Sequence, residues 1–350
     1  MTGVTIRGLG VSLPEEIRTN EDLAGMVETS NEWILTRTGI AERRIASAAV
    51  ATSDLALAAA RQALDAAAVS PQELDLIVVA TVTPDMPFPA TACLLQAELG
   101  ATRAACFDLE AACSGFLYGA GIAAQFVRTG VYRHVLVVGA ETLSRIVDWS
   151  DRSTCVLFGD GAGAAVLGPA SEEEGLLGFV LGADGAHAGL ITQPAGGSRR
   201  PASLETVLQG EHTIRMQGRE VYRVAVPAMV RASEEVLARA GVGIGDVDLF
   251  VPHQANARII EAVGERLGID RDRVFFNIER YGNISAASIP VSLYDAEKAG
   301  RLKPGHLVLT AAFGAGLTWA AALWRWTGAG GQERATARVR EVLRDGRWRP

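Results

Sequence analysis

The sequence predicts an α/β fold made of two similar halves, and three observations support this prediction. Apolar, β-branched runs typical of buried strands alternate with alanine-rich stretches of helical spacing, which favours sheets covered by helices. Segments of the first half recur in the second half in the same order. The chain has 350 residues, of which 49% are hydrophobic and 21% charged, so it can bury a large core.

The predicted strands and helices alternate along the chain. The predicted strands are LIVVATV (76–82), ACFDLEA (105–111), HVLVVGA (134–140), LFV (249–251) and HLVLTAA (306–312). The predicted helices are 53–69, 114–127, 226–242 and 254–268. The internal repeat aligns 63–80 with 236–253, 99–114 with 267–283, and the Phe-Gly segment 158–167 with 313–323. The matches keep their order, which chance similarity of alanine-rich helices does not explain.

The repeat also predicts the organisation of the chain. We expect an N-terminal half over residues 1–170 and a C-terminal half over 171–327. The remaining segment, 328–350, begins with a glycine-rich linker and continues with a spacing typical of a surface helix. A contact between this helix and a partner protein is the alternative interpretation.

Composition excludes several functions. The formal net charge of −7 argues against a general nucleic-acid partner. We expect no secretory signal and no membrane span, because no basic start precedes a long apolar core and no apolar run reaches about 18 residues. The four cysteines have no CxxC spacing and no histidine cluster, so neither a metal site nor a redox pair is indicated. We expect a cytoplasmic protein with reduced thiols.

Cys113 is the candidate nucleophile. It lies at a predicted strand-to-helix turn in LEAACSGFLYGAG (109–121). A thiol at a helix N-terminus faces free N–H groups, and this placement is expected to lower its pKa and favour the reactive thiolate. Its own backbone N–H is a candidate oxyanion donor. The alternative is a buried cysteine that acts as a small hydrophobic residue.

Two further polar residues are predicted to lie near Cys113. Asn283 follows the second-half segment that the repeat aligns with the strand before Cys113, and His253 follows the strand 249–251. Strand ends of both halves meet where open α/β sheets bind ligands, so these three side chains are expected to converge. Taken singly, His253 also fits a structural role and Asn283 a turn.

The sequence resembles the β-ketoacyl-[acyl carrier protein] synthase III family, which has the thiolase fold. The motifs that carry the resemblance are TSNEWILTRTGI (29–40), EAACSGF (110–116), DRSTCVLFGDGAGAAV (151–166), VPHQAN (251–256), YGNISAAS (281–288) and FGAGLTWAAAL (313–323). The resemblance implies an α-β-α-β-α layered arrangement. It also implies an acyltransferase that initiates type II fatty-acid synthesis by condensing a Cys-bound acyl group with malonyl-acyl carrier protein.

The resemblance further implies roles for individual residues. Cys113 would accept the acyl group, His253 and Asn283 would complete a triad, and Gly316 would supply the second oxyanion N–H. The substrate that donates the acyl group would be a coenzyme A thioester, and the residues implied to bind its coenzyme A portion are Thr29, Trp33, Arg37, Arg152 and Asn256. Those implied to line the acyl pocket are Phe88, Met216 and Tyr222, and those implied to dock the carrier protein are Arg223, Arg258 and Arg266. No permanently bound cofactor or metal is implied. The implied assembly is a homodimer, with Phe88 reaching the neighbour's pocket.

The sequence departs from the family pattern at a few positions outside the triad. Tyr222 stands where Phe is usual, Glu265 where Lys often lies in the docking patch, and Ile284 where Thr often follows the asparagine. Ala315 and Ala320 replace glycines. Two alternatives stay open: a priming ketosynthase or acyltransferase of a specialised, polyketide-type pathway, and a non-catalytic acyl-CoA-binding paralogue. A thiolase would need a second cysteine in 313–319, which has none.

Overall fold

A computed structural model describes residues 2–328 of the chain, in which strands and helices alternate. The strands are β1 (Gly3–Ser12), β2 (Ile17–Thr19), β3 (Glu42–Arg44), β4 (Leu76–Ala80), β5 (Ala105–Leu109), β6 (Val135–Thr142), β7 (Asp160–Ala170), β8 (Gly175–Ala183), β9 (Ile191–Thr192), β10 (Arg215–Met216), β11 (Leu249–Pro252), β12 (Leu307–Gly314) and β13 (Thr318–Arg325). The helices are α1 (Asn20–Ala24), α2 (Asn31–Thr38), α3 (Thr52–Ala67), α4 (Thr91–Leu99), α5 (Gly115–Arg128), α6 (Arg152–Cys155), α7 (Leu204–Leu208), α8 (Gly218–Ala240), α9 (Ala257–Leu267), α10 (Ile278–Tyr281) and α11 (Ser288–Lys298). The α/β class predicted from the sequence is confirmed. The predicted helix in 328–350 lies outside the described residues, apart from Gly328.

The main sheet repeats one strand order on either side of its centre. Its nine strands run β11-β12-β13-β8-β1-β7-β6-β4-β5. From β1 outward the order is β7, β6, β4 and β5, and from β8 outward it is β13, β12 and β11, with the same parallel and antiparallel pairings. Val274, bridged to Phe250 of β11, takes the place of a fifth strand. We propose the boundary between the halves in the turn from Ala170 to Gly175.

Buried side chains divide the molecule into layers. Ile77 and Val79 of β4 pack in a cluster with α3 and α4, whereas Val78 between them packs in a cluster with α5 and α11. This alternation is the two-residue period of a strand that is covered on both faces. The cluster around α5 and α11 also includes β12 and β13, whose opposite faces pack against α8 and α9. The order is therefore α-β-α-β-α, as the resemblance implies.

Two helix starts differ from the sequence-based expectation. Helix α8 begins at Gly218 rather than at 226 and runs through Pro227, whose missing N–H costs the helix one hydrogen bond. Helix α9 begins at Ala257 rather than at 254, because Asn256 caps it by accepting a hydrogen bond from the backbone N–H of Arg258. Both corrections affect the cavity described below, which α8 and α9 help to line.

The ends of equivalent strands lead to the central helices. Strand β5 runs into a 3₁₀ turn, Ala112–Ser114, that precedes α5, and a second 3₁₀ turn, Ser285–Ala287, precedes α11. The second turn lies directly against β6, since a Cβ on Gly139 would come within 2.2 Å of the Ala286 carbonyl oxygen. A side chain at position 139 would therefore push this turn away from the sheet. Across residues 2–328, no helix is long and apolar enough to cross a membrane.

Candidate active site

A cavity of about 1300 Å³ is lined by segments of both halves. Its wall includes Cys113, His253 and Asn283, so the fold brings together the three side chains that were predicted to converge. The other predicted site residues that line it are Trp33, Arg37, Met216, Tyr222, Arg223, Asn256, Arg258 and Gly316. Within residues 2–328, no cluster of His, Cys, Asp and Glu could hold a metal ion.

Four predicted site residues are not part of this wall: Thr29, Phe88, Arg152 and Arg266. Arg152 reaches it indirectly, with its guanidinium carbon 4.8 Å from the ring centroid of Trp33. The Phe88 side chain is 83% exposed, although Pro84 and Pro87 beside it line the cavity. Arg266 is exposed in the last turn of α9.

Cys113 lies in the tight turn between β5 and α5. The preceding residue, Ala112, has a φ of 46°, in the left-handed region that non-glycine residues rarely adopt. The turn is held by the hydroxyl of Thr318, which donates to the Ala111 carbonyl at 2.9 Å. A Cβ on Gly314, at the end of β12, would come within 2.7 Å of the Cys113 backbone nitrogen. The nucleophile turn and the 314–317 loop are therefore packed side by side.

The expectation of a lowered thiol pKa is wrong for this structure. Burial raises the pKa of Cys113 to about 12, while the Ser285 hydroxyl and the Asn283 amide beside the sulfur act in the opposite direction. The charge of Glu141 raises this pKa further. Loss of water thus outweighs the hydrogen-bond donors around the sulfur. The thiol is protonated when the site is empty, and its ionisation must accompany attack on substrate.

His253 follows β11 and is almost fully buried. Its backbone N–H donates to the Ala311 carbonyl at 2.8 Å, which ties it to β12. Burial lowers the pKa of the imidazole to about 3, so the ring is neutral at physiological pH. Neither ring nitrogen has a hydrogen-bond partner among the described residues. A neutral imidazole in the cavity wall can therefore give one donor and one acceptor to a substrate.

Asn283 is fixed by both its backbone and its side chain. Its N–H donates to the Leu157 carbonyl at 2.8 Å, and its carbonyl accepts from the Gly159 N–H at 3.1 Å. The side-chain Oδ1 accepts from the Ser285 backbone N–H at 2.8 Å, which leaves the amide NH₂ group as the donor. Gly282 has a φ of 63°, and a Cβ there would lie 2.7 Å from the Leu157 carbonyl oxygen. Glycine at position 282 is thus required for this close approach.

Sequence reasoning missed Glu141, a fully buried carboxyl near the thiol. One of its oxygens accepts from the Thr83 hydroxyl at 2.6 Å, the Val82 N–H at 3.1 Å and the Thr81 hydroxyl at 3.2 Å. Burial raises its pKa to about 7, while these donors and Ser285 act in the opposite direction. The available signal was a carboxylate near the end of strand β6, after six residues without a polar side chain.

The cavity mouth is cationic. Arg37, Arg219, Arg223 and Arg258 line it, of which Arg219 was not predicted. Arg223 pairs with Glu220 at 3.0 Å. The amide of Asn256 donates to the Arg37 carbonyl at 3.1 Å, which joins the start of α9 to the end of α2. Fixed elements therefore present several guanidinium groups at one opening, an arrangement suited to anionic groups.

Comparisons with known proteins agree with the motifs. The family model described as 3-oxoacyl-[acyl-carrier-protein (ACP)] synthase III matches residues 107–185, and the model of the C terminal of that synthase matches 237–326. A curated β-ketoacyl-[acyl-carrier-protein] synthase III from Caldanaerobacter subterraneus subsp. tengcongensis is 57% identical over 322 residues, which is 92% of this chain and 97% of that protein.

Solved structures are similar over the same range. The crystal structure of 3-oxoacyl-[acyl-carrier-protein] synthase III from Aquifex aeolicus VF5 is 49% identical, with a TM-score of 0.86, and the match covers 93% of this chain and 100% of that one. The priming β-ketosynthase of the R1128 polyketide pathway is 37% identical, with a TM-score of 0.87, covering 94% and 97%. The thiolase-type fold implied by the resemblance is confirmed. The chain belongs to the β-ketoacyl-[acyl-carrier-protein] synthase III family.

Proposed function

We propose that the protein acylates Cys113 from an acyl-CoA and then condenses this acyl group with malonyl-acyl carrier protein, the initiating step of type II fatty-acid synthesis. The observation that carries the proposal is the single cavity that Cys113, His253 and Asn283 share beneath a cationic mouth. The family to which the chain belongs is named for the synthesis of β-ketoacyl-[acyl-carrier-protein], the product of this condensation. The R1128 ketosynthase supports a second candidate, priming of a specialised pathway, at lower identity.

In the first half-reaction, the Cys113 sulfur attacks the thioester carbonyl and coenzyme A leaves as its thiol. The carbonyl oxygen becomes an oxyanion, for which the backbone N–H groups of Cys113 and Gly316 are the proposed donors. With pKa values of about 12 for the thiol and about 3 for the imidazole, full transfer of the proton to His253 is strongly unfavourable in the empty site. Thiolate formation therefore depends on hydrogen bonds and on the substrate.

In the second half-reaction, malonyl-carrier protein loses CO₂, and negative charge develops on its thioester oxygen. A donor from the neutral His253 ring and the NH₂ group of Asn283 hold this oxygen. One such donor is typically worth roughly 3 kcal/mol. The carbanion attacks the acyl-Cys113 carbonyl, and the C–S bond breaks. The sulfur leaves as a thiolate and takes one proton from water, which restores the Cys113 thiol. The other product is 3-oxoacyl-carrier protein.

The proposed coenzyme A site surrounds the mouth. Trp33 and Arg152 would hold the adenine between them, and Arg37 would contact the phosphates. Thr29 and Asn256 would contact the remaining part of the coenzyme A molecule. The Arg152 guanidinium lies 4.8 Å from the Trp33 ring centroid. A flat ring fits between the guanidinium and the indole only if these two groups are about 7 Å apart, which is twice a carbon contact distance. Arg152 must therefore swing outward for the adenine to enter.

The proposed acyl pocket and partner surfaces lie beside this mouth. Met216 and Tyr222 line the cavity, whereas the exposed Phe88 would enter the pocket of a second copy in a homodimer. Arg223, Arg258 and Arg266 would dock the acidic carrier protein. The docking surface is weakened by Glu265 and by the Arg223–Glu220 pair, because both add negative charge to it.

A panel of acyl-CoA substrates tests the proposed function. Acetyl-, isobutyryl-, butyryl- and octanoyl-CoA are each incubated with the full chain, and intact-protein mass spectrometry records the mass gained. Malonyl-carrier protein is then added. We expect one acyl group per chain, followed by its loss and formation of 3-oxoacyl-carrier protein. Acylation without condensation would favour a specialised acyltransferase, and no mass gain with any donor would favour a non-catalytic paralogue.

We infer that Glu141 is a positioning residue that sets the reactivity of the thiol. In Glu141→Gln, the rate of Cys113 alkylation by iodoacetamide is expected to rise relative to wild type, on the order of tenfold above pH 8, because a negative charge near the sulfur is removed. The ratio should approach one below pH 6, where protonation already neutralises Glu141, since the pKa of that carboxyl is about 7.

The alkylation measurement needs one precaution. Trypsin leaves Cys106 and Cys113 in one peptide, 104–128, so both proteins carry Cys106→Ser. The alkylated fraction of this peptide then reports Cys113 alone. A ratio that stays at one across the pH range, or that falls below one at high pH, contradicts the inferred role.

A further inference from the structure

Ser285 lies in the cavity wall with a hydroxyl that has no assigned role. The residue is 2% exposed, and its Oγ makes no hydrogen bond of good geometry to the described residues. The hydroxyls of Ser114, Ser233 and Ser288 are likewise buried without a partner, but these residues do not line the cavity. A buried hydroxyl without a partner costs free energy, so its presence beside a nucleophile calls for a functional explanation.

The backbone holds Ser285 in a conformation that non-glycine residues rarely adopt. Its φ is 45°, in the left-handed region, at the start of the 3₁₀ turn before α11. Ala112, with a φ of 46°, starts the 3₁₀ turn that carries Cys113 before α5. The second turn packs on the start of α5, since a Cβ on Gly115 would lie 3.5 Å from the Ala286 Cβ. Backbone strain of this kind is often retained at functional sites.

Two acceptors lie beside the Ser285 hydroxyl: the sulfur of Cys113 and the carboxyl of Glu141. The carboxyl already accepts hydrogen bonds from three other residues. The sulfur is also faced by the Asn283 amide and by the Cys113 backbone N–H. These two donors are the ones proposed to hold substrate oxygens during the reaction. Ser285 is therefore the donor that stays available to the sulfur.

We propose that Ser285 is a catalytic residue, whose hydroxyl donates a hydrogen bond to the Cys113 sulfur whenever that sulfur carries negative charge. This role rests on the proposed function and deepens it. The charge develops twice: when the thiol loses its proton during attack on acyl-CoA, and when the C–S bond of the acyl-enzyme breaks during condensation. Ser285 keeps its own proton in both steps, because it stabilises the charge and does not act as the base.

The size of the effect follows from two opposing factors. A hydrogen bond to a charged group favours the charged form by about ten- to a hundredfold. Loss of this bond lowers the thiolate fraction by the same factor. The more basic thiolate that remains is a better nucleophile, and regains roughly the square root of that loss. Reactions of the Cys113 sulfur should therefore slow by about three- to tenfold without the hydroxyl.

The experiment measures Ser285→Ala in three assays. Single-turnover acylation by the preferred acyl-CoA and alkylation of Cys113 by iodoacetamide should both slow by about three- to tenfold. The alkylation is done in the Cys106→Ser background described above. Release of CO₂ from malonyl-carrier protein by the unacylated chain needs no thiolate, so its rate should not change. Ser288→Ala is the matched control and should keep all three wild-type rates, because it also removes a buried, unpartnered hydroxyl but lies outside the cavity wall.

Ser285→Gly separates the hydroxyl from the backbone conformation. Glycine adopts a φ of 45° without steric cost, so this variant loses the hydroxyl and relieves the strain. It should be as slow as Ser285→Ala in acylation and alkylation. Wild-type rates in either variant, or a matching loss of CO₂ release in Ser285→Ala, would overturn the proposal. Absence of acylation in the wild-type chain would contradict the proposed function instead, and the alkylation rates, which need no acyl-CoA, would still decide the role of Ser285.

Discussion

Replacement of Cys113 by alanine is expected to abolish acylation by acyl-CoA, and with it the formation of 3-oxoacyl-carrier protein. Within residues 2–328, no other cysteine lines the cavity, so no second thiol is placed to accept the acyl group. Removal of a catalytic nucleophile typically lowers the reaction rate by roughly four orders of magnitude or more. Intact-protein mass spectrometry after incubation with the preferred acyl-CoA measures the first effect, and product analysis with malonyl-carrier protein measures the second.

Cys93→Ser provides the matched control for this prediction. Cys93 is also a partly exposed cysteine, but it is absent from the cavity wall, and its replacement should leave acylation within about twofold of wild type. If Cys113→Ala still gained one acyl group per chain, the nucleophile would be a different residue and the proposed mechanism would be wrong.

Asn283→Ala is expected to separate the two half-reactions. Self-acylation should stay within a few-fold of wild type, because Asn283 is not one of the proposed oxyanion donors. Condensation should fall by roughly two orders of magnitude, since the NH₂ group that holds the developing enolate is lost, at roughly 3 kcal/mol. Single-turnover acylation and the release of CO₂ from malonyl-carrier protein, measured on the same preparation, give the two rates.

Asn283→Asp distinguishes a lost donor from local disruption. A carboxylate can still accept the hydrogen bond from the Ser285 N–H, which keeps the turn before α11 in place, but it has no donor for an enolate. It should therefore match Asn283→Ala in its slow decarboxylation while unfolding at nearly the wild-type temperature. Acylation lost as severely as condensation in Asn283→Ala would show that the roles are assigned wrongly.

Much of the fold was predictable because its signals are local and repeated. Apolar runs such as 76–82 and 134–140 needed no tertiary information, and the aligned segments revealed a second copy of the same pattern. The order of β1, β7, β6, β4 and β5 agrees with that pattern. The second half departs from this strand order at its fifth strand, which is reduced to a single bridge at Val274. The predicted helix 226–242 begins eight residues after the observed start of α8, which continues on the N-terminal side of Pro227.

The candidate site was only partly predictable. Motifs placed Cys113, His253 and Asn283 at strand ends, and the fold brings these side chains to one cavity, while their roles stay a prediction. Glu141 has no motif, and its importance comes from residues that contact it from other segments. Phe88 shows the opposite case: its motif position was clear, but its side chain is exposed in a single chain.

Residue order alone determined the α/β class, the internal repeat and the strand-to-helix position of Cys113, because each depends on neighbours or on a fixed period. Tertiary structure alone decided the protonation of the site and the approach of Ser285 to Cys113. Burial raises the pKa of Cys113 and lowers that of His253, and burial is a property of everything packed around a group. The Ser285 hydroxyl likewise lies beside the Cys113 sulfur only once the turn before α11 packs on the start of α5.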